Sequence, residues 1–170
     1  MRYFLSILVA VAWALWFGGL VGMFLFIDRL FESMKGEYRS VFDEVAPHQF
    51  TMVERLSLVA GALALLATFG LRLLSPRRAL TGLFCILAVA AVLAVLKPVF
   101  ITQKMIGMIH PGVTPTAEFR KLHGLSMTAS TVEAILLLIA GAFLPAALDS
   151  STREGKQNGM RGDQTHAAEA

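Results

Sequence analysis

Charged residues along this chain collect at a few places, and between them lie four long apolar runs. The first extends from Tyr3 to Ile27 and stops at Asp28-Arg29; the second covers Leu56 to Leu74. The third runs from Ala79 to Gln103 and the fourth from Leu125 to Leu148. At helical rise, about 20 apolar residues cross the hydrocarbon core of a bilayer, so each run is long enough to span. The runs are blocks rather than alternations, which argues against half-buried strands. The pattern predicts an all-α polytopic membrane protein, a four-helix transmembrane bundle occupying residues 1–148. The first run also outlasts the roughly 7–15 apolar residues of a signal peptide, so an uncleaved first helix is expected.

The stretches between the runs have their own patterns. In residues 28–48, Phe31, Met34, Tyr38, Val41 and Val45 recur every three or four positions among acidic and basic residues. That spacing predicts an amphipathic helix lying at the interface between spans one and two, with a break at Pro47. Ser75-Pro76-Arg77-Arg78 reads as a tight basic turn, and Pro98 as a kink in the third span. Met105 to Pro115 holds two prolines and two glycines and reads as loop. Pro145 and Asp149 are expected to end the fourth span. Residues 149–170, polar and small, read as a disordered cytoplasmic tail.

Composition narrows the class further. Apolar residues make up 56% of the chain and charged residues 16%, more apolar than a soluble domain can bury. The net charge of +3 comes from basic residues at the ends of the runs, without a basic face, so no nucleic-acid partner is expected. Arg72, Arg77 and Arg78 crowd the shortest connection and place it in the cytoplasm, with both termini on the same side of a cell (inner) membrane. The single cysteine, Cys85, excludes an intramolecular disulfide and any cysteine-rich metal motif.

Close packing of helices in lipid depends on small residues. Gly18 and Gly22 form a G-x-x-x-G pair; Ala60 with Ala64 and Ser126 with Ser130 repeat the spacing. Trp13 and Trp16 fall near the middle of span one, where a packing role is expected rather than an interfacial one.

Candidate chemistry lies with the residues that membranes exclude. Glu133 stands about 12 Å into span four, and Lys97 at comparable depth in span three, so the two can pair. A buried pair can simply fix helix register, or it can mark a polar cavity for a proton, ion or substrate. Glu54, Arg55, His123 and Ser126 fall toward the same, non-cytoplasmic side and complete a candidate ligand or ion site. His48, His110 and His123 also fall there, with Met105 and Met108, and imidazole with thioether suits Cu(I). A bis-histidine haem site would need two inward histidines at similar depth. No P-loop, nucleophile elbow, H-E-x-x-H or dinucleotide fingerprint occurs, so no soluble-type catalysis is expected.

The stretch Phe119-Arg120-Lys121-Leu122-His123-Gly124-Leu125-Ser126-Met127, leading into an apolar span, resembles the transmembrane protein 205 family, whose bacterial members are four-helix membrane domains of unknown function. The likeness extends to Trp16 with Gly18-Gly19, the amphipathic segment, the Lys97-Pro98 break and the F-x-x-x-H-x-x-S spacing of Phe119, His123 and Ser126. It covers about residues 4–148; Ala46 to Arg55 departs from it. A weaker likeness is to copper-resistance D-type membrane domains, which would imply copper uptake or efflux. Three readings follow: transport or copper handling, with a homo-oligomer or membrane partner; a structural or accessory protein of the lipid bilayer; and a haem or redox protein.

Overall fold

The computed structural model describes residues 1–33, 39–108 and 116–168, with side chains for 1–27, 29, 32–33, 48–108 and 116–148. Its elements are α1 (Arg2–Ser33), α2 (Arg39–Leu74), α3 (Arg78–Lys97), a π turn (Pro98–Thr102), α4 (Gln103–Ile106) and α5 (Ala117–Ala168). Four stretches are long and apolar enough to cross a membrane: Arg2–Ile27, His48–Leu74, Arg78–Ile106 and Ala117–Leu148. Among the described residues all regular structure is helical, and the chain is a four-helix bundle of an integral membrane protein.

The helices outrun the apolar runs. Hydropathy marks the residues that want hydrocarbon, while backbone hydrogen bonds carry a helix on into polar flanks. Hence α2 begins at Arg39, and the stretch 28–48 is no separate element: its first residues continue α1 and those from Arg39 open α2. Residues 34–38 and most side chains of that stretch lie outside the described residues. Pro47 and Pro145, expected as boundaries, sit inside helical backbone. Each removes one N–H from the ladder, a loss that membrane helices tolerate when surrounding groups re-satisfy the backbone. The backbone of α5 stays helical through Ala168, across the stretch read as a disordered tail.

Around the bundle the order of neighbours is α1, α2, α3, α5 and back to α1. Arg2 donates from Nη2 to the Leu74 carbonyl at 2.6 Å, tying the start of α1 to the end of α2. The shared core is alanine-rich: Ala12, Ala60, Ala64, Ala67, Ala90, Ala94, Ala140 and Ala147 are buried with Val9, Leu83, Leu87 and Leu137. Small side chains let backbones approach, which gains dispersion contacts that lipid tails cannot offer. Outward, Leu66, Leu73, Val89, Val92, Ile135 and Leu138 are exposed along the spans, the inside-out distribution of a lipid-facing surface.

The two tryptophans set the closest approaches. An added Cβ at Gly61 of α2 would meet the Trp16 ring at 3.0 Å, and one at Gly141 of α5 would fall within the Trp13 ring. These glycines are where the indoles fit, since any side chain would displace them. Gly18 and Gly22 do not serve as expected: a Cβ at either meets nothing within 4 Å, and Gly19 instead faces Leu56. Four-residue spacing puts two glycines on one face of α1, but which face meets the bundle is decided by Val9, Ala12, Trp16 and Leu20, all buried.

Candidate functional site

The ionisable residues that the spans bury converge on one region of the interior. Glu133 of α5 is fully buried, Lys97 of α3 is 6% exposed and Glu54 of α2 is 8% exposed. Lys97 Nζ lies 3.2 Å from Glu133 Oε2 and donates to it, and donates also to Ser130 Oγ at 3.1 Å. Ser130 precedes Glu133 by three positions, so helical spacing sets both on the face of α5 that looks at α3. The second carboxylate oxygen, Oε1, accepts from Trp16 Nε1 at 2.8 Å. One carboxylate thus joins α1, α3 and α5. Beside it, Trp13 Nε1 donates to the Leu137 carbonyl at 2.7 Å, and its ring stacks on Phe17 with centroids 5.6 Å apart.

Glu54 is held differently. Its Oε1 accepts from Thr102 Oγ1 at 2.6 Å, and Lys97 and Glu133 both act on it electrostatically. The contact depends on the π turn. In a regular α-helix a residue five positions after Lys97 points about 140° away from it. Here Gln103 N–H donates to the Pro98 carbonyl five residues back, which widens the turn. Lys97 and Thr102 consequently both face inward and both are buried. Pro98 explains where the widening starts, because it has no N–H to donate to the preceding turn. Among the described residues, no buried side-chain nitrogen or oxygen is left without a hydrogen-bond partner.

Of the residues predicted from sequence, Lys97 and Glu133 form the expected pair, Glu54 joins them, and Ser126 is buried one turn before Ser130. His123 and Arg55 do not join. His123 is exposed and stacks on Phe119 with centroids 6.1 Å apart, and Arg55 is exposed although its neighbour Glu54 is buried. Arg55 is turned about 100° from Glu54 around α2, and His123 stands ten residues before Glu133 on α5, about 15 Å along the axis, so neither has a share of the cluster. His48 is exposed as well, Met105 is buried and Met108 half-buried, while His110 lies outside the described residues. Among the described residues no three His, Cys, Asp or Glu side chains gather as a metal cluster. Neither His48 nor His123 turns inward, as a haem ligand would have to.

Sequence reasoning missed the roles of Trp16, Ser130 and Thr102. An indole N–H in mid-span needs an acceptor, and Glu133 was the candidate at hand. Ser130 carried a signal too, its three-residue offset from Glu133. Thr102 carried none, because helical periodicity points it outward.

Comparison of the chain with protein-family models, curated proteins and solved structures finds no match.

Proposed function

We propose that this membrane protein handles a proton or a small cation at the cluster of Glu54, Lys97 and Glu133. The observation that carries the reading is a charge count: among the described residues, two carboxylates, Glu54 and Glu133, are buried with one buried ammonium, Lys97, which is paired to Glu133. With all three ionised the cluster bears one surplus negative charge, which an apolar interior strongly disfavours. A proton or a small cation supplies the balance, and exchanging it with one side of the membrane is the elementary act of coupled transport. The reading includes a cell (inner) membrane location with both termini cytoplasmic, supported by the arginines of the 72–78 region. It also takes the chain as a relative of the transmembrane protein 205 family, on the spacing of Phe119, His123 and Ser126, of which Phe119 and His123 stack in this chain at the start of α5.

The test uses proteoliposomes containing a pH-sensitive dye and a potassium diffusion potential. Wild-type protein should collapse an imposed proton or sodium gradient faster than protein-free vesicles, and Glu54→Gln should lose that activity while still reconstituting. Equal rates with and without protein would sink the proposal.

A second reading, a structural or accessory protein, is favoured by the complete hydrogen bonding of the buried side-chain polar atoms among the described residues. On that reading Lys97 and Glu133 act only as a pin between helices. Replacing both together, Lys97→Met with Glu133→Leu, separates the two: a pin leaves every cellular phenotype unchanged once folding is preserved, and an exchange site does not.

A further inference from the structure

One stripe of α2 is unused by the cluster. His48, Thr51, Met52 and Arg55 recur at three- and four-residue spacing, and with Ile106 of α4 they line an open groove of about 500 Å³. Thr102, one turn before Ile106, belongs to the buried cluster, so the groove lies against its outer side. Glu54, the neighbour of Arg55, is turned inward and committed to Thr102. The Arg55 side chain makes no hydrogen bond or ion pair with a described residue.

The position of that guanidinium is the telling point. The second candidate span opens at His48, and Arg55 directly precedes its uninterrupted apolar run from Leu56, at the polar end of the span. At such a position an arginine extends its stem along apolar surface and returns its charge toward the headgroup layer. What it meets there is phosphate, whose oxygens match the guanidinium fork in geometry and charge. The remaining lining is suited to an amphiphile: the imidazole of His48 and hydroxyl of Thr51 at one part, the thioether of Met52 and the aliphatic chain of Ile106 at another.

We propose that this groove binds the headgroup of an anionic phospholipid, with Arg55 as the ligand of its phosphodiester and Met52 and Ile106 against the start of its acyl chains. The site goes beyond the exchange reading and does not depend on it. It favours a net-anionic headgroup over a zwitterionic one, because the choline of the latter brings a cation beside Arg55.

Native mass spectrometry of the full chain released from detergent tests this, with phosphatidylglycerol and phosphatidylcholine of matched acyl chains as probes. Wild-type protein should retain phosphatidylglycerol preferentially, and Arg55→Gln should weaken that retention roughly fivefold, the worth of one interfacial arginine, and weaken phosphatidylcholine less, so that the preference narrows. Ile106→Trp, which fills the groove and keeps Arg55, should also exclude phosphatidylglycerol. Equal retention of the two lipids, or undiminished phosphatidylglycerol on both variants, would overturn the proposal. So would displacement of the lipid by millimolar inorganic phosphate, which would make the groove a site for free anions.

Discussion

Toward the Ser75–Arg77 turn, the interior of the bundle is filled by Val9, Leu71, Leu80, Leu83 and Leu144; toward the other end the same helices turn Glu54, Lys97, Thr102 and Glu133 inward. The apolar half is held by shape. Its side chains would be nearly as content in lipid, so they contribute through close contact and little through the hydrophobic effect. The polar half is held by obligation, since each buried donor or charge that loses its partner bears a desolvation cost with nothing to offset it. The first kind of interior tolerates substitution in proportion to volume. The second tolerates it only in matched sets.

Substitutions should expose that difference in order of size. Glu133→Ala strands Lys97 and should cost about 3–5 kcal/mol, measured by reversible unfolding in mixed micelles. Lys97→Met combined with Glu133→Leu should recover most of the loss; if the double variant is as unstable as the single, the polar half is not a matched set. In the apolar half Leu83→Ala should cost about 2 kcal/mol, the lower end for a buried leucine, because the hydrophobic reward is reduced in lipid. An effect larger than that of Glu133→Ala would erase the distinction between the halves. Trp16→Phe keeps most of the ring against Gly61 but removes the donor to Glu133, with an expected loss of about 1.5 kcal/mol in the same assay. Thr102→Val should be mildest, about 0.6 kcal/mol, the average for a hydrogen bond between membrane helices. Thr102→Val should nevertheless alter gradient collapse in proteoliposomes if Glu54 is the exchanging group.

The two halves were also unequally readable from the chain. Four apolar blocks suffice to predict four spans, because the thickness of a bilayer imposes a length on each. The Lys97–Glu133 pair could be read from depth alone, since both residues lie at similar distances from helix ends facing one side. Depth fixes only one coordinate, however. Angular position around each helix comes from tertiary packing, and this is why Arg55, next to Glu54 in sequence, is exposed while Glu54 is buried; His123 fails on depth itself, about 15 Å along α5 from Glu133. The same ignorance promoted Gly18 and Gly22 over Gly61 and Gly141, whose value depends on indoles from a different helix. Thr102 required a further fact, the extra residue in one turn, which no 3.6-residue pattern contains.

Trp13 and Trp16 are the chain's two tryptophans, and both indoles are wedged against glycines of other helices with their N–H groups committed. Every photon of intrinsic tryptophan emission therefore originates at an interhelical seam. Separation of α5 from α1 frees the Trp13 ring and breaks the Trp16–Glu133 hydrogen bond together, while the Trp16 ring keeps its place against Gly61 of α2, so the emission spectrum records assembly of the bundle without an added label. Because one of the two donates to Glu133, the same signal is also sensitive to the state of the cluster, and a cation or proton arriving there should be visible as a change in Trp16 fluorescence before any flux is measured.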